Sequence, residues 1–279
     1  MRITDYFYNI DYFITNSDNI KIESGVSLKT VAAGVFKIKN KFPFLAETLD
    51  TFRFLYTAGV GNTITFQLVK DEIVYWYSGG WIVAAEDNLA ESNDLAIIQT
   101  NISSLISASA KINIIIYIDS AGTNNFSITE MSIDVDSGIN IISDVRKRLL
   151  EVTYKIFPDY MINNILKEAE ELIKEQLGGI IDFSGTIPAT VKQAALYLTF
   201  IMILESIYYE QIKRGETIND IVYWRSEYDK LIEGIRNGSL IPGLSNISLS
   251  NETSRQGYFF GFGKYGRSTR ADCPYSGSF

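Results

Sequence analysis

Three aspartates come first among the residues whose types and spacing could do chemistry. Asp134 and Asp136 sit one residue apart at the end of a predicted strand, and Asp119 ends another. Carboxylate oxygens in such positions suit a hard cation such as calcium. The flanking residues lack the D-x-D-x-D-G pattern of a calcium loop, so solvated strand ends are expected, with ion binding at Asp119, Asp134 and Asp136 left open. A second group is aromatic: Tyr75, Trp76, Tyr77 and Trp81 flank Ser78-Gly79-Gly80. Rings at a hairpin can stack on a sugar, but successive strand residues point to opposite faces. Core packing on one face with a contact on the other is the simpler expectation. Tyr75, Trp76 and Trp81 are the candidates for glycan binding. A third group, Glu168, Glu170, Glu171 and Glu175, lies on a predicted helix beside Lys167 and Lys174. A carboxylate metal site in a helical bundle would pair Glu with a Glu-x-x-His motif. The chain has no histidine, so a solvated charged face is expected. Last, Arg255, Lys264, Arg267 and Arg270 punctuate a run of aromatic residues near the chain end. Basic and aromatic residues interleaved in this way can hold single-stranded nucleic acid. A net charge of −8 argues instead for salt bridges to an acidic protein groove.

Composition closes several routes to catalysis. Without histidine the chain lacks the commonest general base and the commonest metal ligand. Its single cysteine, Cys273, cannot form an internal disulfide. No Ser–His pattern, dinucleotide fingerprint or zinc pair is present, and Gly261-Phe262-Gly263-Lys264 lacks the spacing of a phosphate loop. A glycosidase built on two carboxylates is compatible with the composition, but no acid pair can be placed from sequence at the separation that chemistry needs. The chain is therefore read as no enzyme, with no catalytic residue, cofactor or resident metal. The first residues, Met-Arg-Ile-Thr-Asp, do not resemble a signal peptide. The longest apolar run, 194–204, rises only about 16 Å as helix, roughly half a bilayer core, so no membrane span is expected.

The elements that position these residues fall into three zones of an α+β chain. Residues 1–137 read as a β-sandwich domain. Strands are expected at 31–38, 51–56, 63–69, 73–78, 81–84, 111–118 and 127–135, punctuated by Gly61-Asn62, Lys70-Asp71, Ser78-Gly79-Gly80 and Gly122-Thr123-Asn124. Ser78-Gly79-Gly80 predicts a hairpin. Residues 87–109, polar with scattered Leu, Ile and Ala, read as a long loop with a short strand or helix. From about 139 the apolar period changes from 2 to 3.6, and residues 138–238 read as a helical domain of four helices. Ser143 is placed to cap the first, with Val145, Leu149, Val152 and Ile156 on one face and a stop near Pro158. Asp159 is placed to cap the second, which Gly178-Gly179 ends. Pro188 suits the first turn of the third, which runs to Gly215. Thr217 with Asp220 suggests a capping box for the fourth, and Gly238 stops it. The third helix is apolar nearly all round. Tyr197, Phe200, Ile203, Ile207 and Tyr208 exceed what one stripe needs. Residues 239–279 form an extended C-terminal arm, in which Tyr258, Phe259, Phe260, Phe262 and Tyr265 alternate with glycine. Such a segment cannot build its own core, and an arm that orders on a partner is expected.

Four ordered stretches carry a family resemblance. They are Asp144-Val145-Arg146, the run from Asp159 through Ala169 and Ile173 to Leu177-Gly178, Pro188-Ala189-Thr190-Val191-Lys192-Gln193-Ala194-Ala195, and Tyr228-Asp229-Lys230-Leu231 through Ile235 to Gly238. In order and spacing they resemble the head-to-tail adaptor (connector, head-completion) proteins of tailed bacteriophages and gene transfer agents. The resemblance covers the helical zone and leaves residues 1–137 unexplained. It implies a homo-oligomeric ring, twelve-fold in known adaptors, docked on a portal protein and followed by a tail or stopper protein. DNA would pass through without sequence-specific binding, and the net acidity suits such a conduit. It further implies a place in the virion neck, assembled in the bacterial cytoplasm, with a C-terminal segment that reaches the portal. The expected partner-binding residues are Tyr258, Phe259, Phe260, Phe262, Lys264, Tyr265, Arg267 and Arg270 of the arm, with Tyr197, Phe200 and Tyr208 of the third helix. The alternative is a virion decoration protein that binds glycans or a cell surface through the β domain.

Overall fold

The structure, a computed structural model, describes residues 1–7, 10–22, 25–28, 33–122, 126–136, 138–149, 152–154 and 156–240. The arm residues from 258 to 270 named above, and Cys273, lie outside the described residues. The chain divides into two units, Met1–Asn164 and Ile165–Phe279. That division falls inside a helix and later than residue 139, where the sequence period changes. The class is α+β.

The first unit holds two antiparallel sheets. In one, β1 (Arg2–Asp5), β12 (Phe126–Val135), β4 (Val26–Leu28) and β3 (Ile20–Ile22) run in that order, and β7 (Leu49–Ala58) also pairs with β12. In the other the order is β10 (Trp81–Val83), β9 (Ile73–Tyr77), β8 (Thr63–Lys70), β11 (Ala110–Ala121), β5 (Ala33–Asn40) and β2 (Phe13–Thr15), with β6 (Phe44–Ala46) also on β11. The sheets meet through rings: Phe66 of β8 lies edge-on to Phe52 and Phe54 of β7, at 5.5 and 4.9 Å. Strand β11 explains its own composition. It is buried on both faces from Ile112 to Ile118, so its sequence is a continuous apolar run rather than an alternation. Ile115 and Tyr117 point to a second small core, with Val69, Val74, Ala84, Trp76 and Leu89.

The turns follow local chemistry. Gly79 adopts φ 75 in the β9–β10 hairpin, where Tyr77 pairs with Trp81. Strands β8 and β9 are joined by Asp71 and Glu72 alone, both left-handed at φ 48 and 71. Two left-handed residues match the twist of the flanking strands, but neither is a glycine or asparagine, so the tight hairpin carries local strain. The seven strands expected from sequence coincide with β5 and β7–β12 apart from end residues: Ser78 and Ala84 fall outside β9 and β10, and 31–32 lie outside the described residues. The short strands β1–β4 and β6 were not expected. The segment 87–109 contains helix α1 (Leu95–Asn101), capped by Asp94, whose carboxylate accepts the Ile97 amide at 2.9 Å.

Helix α2 (Ile142–Arg148) is one short piece and does not run to Pro158. Ser143 does not cap it; Ile141 occupies that position with no side-chain cap. The chain leaves the helix at Leu149, φ −103 and ψ 81, and Arg146 in its last turn bonds carbonyls further along the chain, as described below. Helix α3 (Asp159–Leu177) begins with Asp159 inside its first turn, and the carboxylate bonds elsewhere instead of capping the helix. Its amides at Met161 and Ile162 turn to the Pro158 carbonyl.

In the second unit, helix α4 (Ala189–Ile207) follows Pro188, and the expected continuation to Gly215 breaks at Tyr208 into a separate α5 (Tyr209–Lys213). Helix α6 (Asn219–Arg236) starts after Ile218 with no side-chain cap, so Thr217 and Asp220 do not form a capping box. Gly238 ends the helix at φ 74, and the Leu240 amide returns to the Gly234 carbonyl at 3.1 Å. The Gly238 amide also bonds the Ile235 carbonyl at 3.1 Å, so the left-handed glycine closes the helix end. Gly234 lets Leu240 pack close: a Cβ on it would lie 2.4 Å from Leu240 Cδ1, and the leucine side chain would have to move.

Candidate functional site

The acidic strand ends are not gathered into one site. Asp134 on β12 is held by Arg2 through two bonds of 2.8 and 3.0 Å. That guanidinium pulls its carboxyl below the ordinary range. Asp136 accepts the backbone amides of Glu47 and Thr48. Asp119 lies on β11 in the other sheet. Among the described residues no group of three or more His, Cys, Asp or Glu side chains is placed to hold a metal ion.

The aromatic hairpin is already engaged. Trp76 packs on the small core beneath residues 84–89. Trp81 donates its indole N–H to the Asn101 carbonyl and Ser104 Oγ, at 3.2 and 3.0 Å. Tyr77 and Trp81 meet edge-to-face at 5.4 Å and 74°, not as a flat pair. Asn93 fixes the strand between them by exchanging hydrogen bonds with the Tyr77 backbone. Tyr75 is half-buried opposite Val83, and Ile82 and Val83 beside it are exposed.

The third predicted helix corrects an expectation about surface. Helix α4 buries Val191, residues 194–201, Ile203 and Leu204. Phe200 and Tyr197 are 0% and 8% exposed. Both touch the indole of Trp224 on α6 at 4.9 Å. Helix α6 thus covers the rings that sequence assigned to a partner. Tyr208 remains half-exposed after the helix end, and the exposed apolar residues sit instead at Val222 and Tyr223 of α6. The α4 helix is long and apolar enough to cross a bilayer by length and composition, yet most of it is buried inside the chain. The acids of α3 also differ from expectation. Glu171 and Glu175 are exposed, Glu170 is buried, and burial raises the carboxyl of the half-buried Glu168.

The densest chemistry is a buried polar cluster that sequence reading missed. Arg146 of α2 donates to Asp159 Oδ1 from Nε (2.9 Å) and Nη2 (2.5 Å). It also donates to the carbonyls of Val152 (2.7 Å) and Phe157 (2.9 Å). Its guanidinium lies 3.7 Å from the centre of the Tyr154 ring. The second oxygen of Asp159 accepts the Thr4 amide of β1 at 3.0 Å. Tyr12 adds a bond from its hydroxyl to the Ile156 carbonyl at 2.9 Å. Arg146 thus gathers the Asp159 carboxylate and the Val152 and Phe157 carbonyls round one cation. Next to Thr4, Asp5 is buried and accepts the Phe7 amide at 2.8 Å and a longer bond from Asn40 Nδ2 at 3.4 Å. Burial pushes its carboxyl up to about 7, the Phe7 amide opposes the shift, and the charge of Asp159 adds to it. Asp159 is raised by burial as well, against the pull of Arg146. The Tyr160 ring stacks on Phe42, and burial pushes its hydroxyl well above the ordinary phenol range, against an opposing contact from Asn40. Among the described residues the cluster holds no nucleophile beside a base. Its chemistry is ion pairing and proton uptake.

Compared with known proteins, the chain matches no family model and no curated protein. Among solved structures it is similar to a Podospora anserina GH26-CBM35 β-(1,4)-mannanase, at 11% identity and TM-score 0.24, over 63% of this chain and 40% of that one. The chain thus spans less than half the length of that protein, and a likeness this distant carries no argument about either fold or activity.

Proposed function

We propose that the protein is a non-enzymatic structural connector of a virus-like particle, a head-to-tail adaptor that joins a portal protein to a tail or stopper protein. One observation carries the reading. The four motif stretches that resemble the adaptor family fall, in order, on α2, α3, the start of α4 and the second half of α6. The family-like Asp144-Val145-Arg146 stretch also has a physical role, because its arginine organises the turn between α2 and α3. Closing a ring needs two different surfaces on each subunit. Val222 and Tyr223 on α6 supply exposed apolar surface for one, and the basic, aromatic arm of residues 239–279 supplies the other. In this reading the ring continues the DNA channel in the virion neck, and Tyr197 and Phe200 serve the subunit core instead of the interface. The β domain decorates the neck. Negative-stain images of the full chain mixed with its portal protein test the proposal: a ring stacked on the portal is expected. Particles of bare portal, together with a glycan-array signal abolished by Trp81→Ala, would favour the decoration reading instead.

A further inference from the structure

Asn237-Gly238 at the end of α6 is the one Asn-Gly pair in the sequence. Such a pair carries its own chemistry. The backbone nitrogen after an asparagine can attack the side-chain carbonyl carbon and close a cyclic imide, and glycine leaves that nitrogen free of a neighbouring Cβ. The same glycine is needed for structure: Gly238 stands at φ 74, where it stops the helix. The residue that ends α6 therefore sets an unhindered nitrogen beside an asparagine. Asn237 is exposed, and its Oδ1 accepts the Ser239 amide at 3.0 Å. Attack at Cγ drives negative charge onto Oδ1, so a donor already seated there polarises the carbonyl and stabilises the charge as it forms. Against attack, the Gly238 amide donates to the Ile235 carbonyl at 3.1 Å, and Asn237 keeps a near-helical φ −85 and ψ 3. The electrophile is prepared and the nucleophile is tied down.

We propose that Asn237 is a self-modification site gated by the last turn of α6: when that turn opens, the Gly238 nitrogen attacks Asn237 Cγ. The new N–Cγ bond forms as the Cγ–Nδ2 bond breaks. Nδ2 leaves as ammonia, and the proton lost by the Gly238 nitrogen balances the one that Nδ2 gains. Water then opens the imide at either carbonyl, giving aspartate or isoaspartate. No oxidant or reductant takes part. The gate is a few backbone bonds at a helix end, which open far more often than the whole chain unfolds. The change runs one way. The imide has no Gly238 N–H to give to Ile235. Either acid puts negative charge at the C-terminal end of α6, where the helix dipole is already negative, and isoaspartate also lengthens the backbone by a methylene. Both weaken the return of the Leu240 amide to Gly234. Asn237, Ser239 and Leu240 line a groove with Gln193 and Tyr197 of α4, so the modification reshapes that groove. The inference stands without the connector reading.

Peptide mapping of the full chain after incubation in mildly alkaline buffer, native and in urea, tests this. In urea, conversion at Asn237 is expected to outpace that at every other asparagine. In the native chain it should run about tenfold slower, because the turn must open first. Leu240→Ala loosens the closing turn and is expected to bring the native rate toward the urea rate. Gly238→Ala sets a Cβ beside the nucleophile and is expected to suppress conversion in urea, where no fold is at stake. No acid at position 237 in urea, equal rates in the native chain and in urea, or a native rate unmoved by Leu240→Ala would overturn the proposal. If Leu240→Ala fails to fold, the comparison of native and urea rates in the parent decides.

Discussion

Arg146→Ala is the perturbation on which the structure speaks most directly. The arginine side chain is 14% exposed and the Asp159 side chain 5%. Truncation leaves Asp159 buried with the Thr4 amide and no cation. Breaking a buried ion pair from one side costs about 3–5 kcal/mol, because the remaining charge is uncompensated. The Val152 and Phe157 carbonyls also lose their donor, and because both residues are buried this places the loss toward the upper end of that range. The loss is a large fraction of the ~5–15 kcal/mol that holds a typical domain together. It is smaller in acid, because the Asp159 carboxyl is already raised by burial and takes up a proton once the guanidinium is gone. Urea unfolding followed by the fluorescence of Trp76 and Trp81, in a Trp224→Phe background, reads the first unit alone. Arg146→Ala is expected to lower its stability by about 3–5 kcal/mol at pH 7.5 and by less at pH 5. Arg146→Lys should recover only part, since an ammonium cannot reach the carboxylate and both carbonyls together. The double change Arg146→Ala with Asp159→Asn should cost less than the sum of the two. A loss under about 1 kcal/mol, or strict additivity, would refute the idea that Arg146 and Asp159 act as one buried pair.

Other outcomes follow from the same contacts. Trp224→Ala removes the indole between Tyr197 and Phe200 and is expected to lower the stability of the helical unit by about 3 kcal/mol in thermal melts; an unchanged melt would mean that these rings share no core. Glu72→Gly relieves a left-handed residue at φ 71 and should raise stability by about 1 kcal/mol, so a lower melting temperature would contradict the hairpin geometry. Val222 and Tyr223 are more than half exposed. Val222→Asp with Tyr223→Ser should leave melting within about 0.5 kcal/mol while weakening self-association in sedimentation; unaltered association would move the interface elsewhere.

The sequence showed the long elements and missed the assembled cluster, for physical reasons. Strands such as β8 and β11 are eight and twelve residues long, enough for β-branched enrichment and turn signals to show. Strands β2, β3, β4 and β6 have three residues each, too few for a period, and only their pairing partners define them. The helix face of Val145, Leu149, Val152 and Ile156 was a correct apolar spacing with the wrong backbone. Leu149 and Val152 are buried, but the chain leaves the helix at Leu149 and Arg146 gathers the Val152 and Phe157 carbonyls, and that is invisible without Asp159 in place. Asp5 lies 154 residues before Asp159, so no local pattern marks it. The surplus of apolar residues on α4 was read correctly as composition. Its destination was not, because a helix buried all round looks the same whether its own chain or another covers it.

The central claim is that this chain is an assembly part, built to join other chains. Sedimentation velocity of the full chain at micromolar concentration, alone and with its portal protein, tests that claim most directly. The account predicts a closed oligomer of fixed size, formed alone or on the portal. A 31.4 kDa monomer in both samples would contradict it.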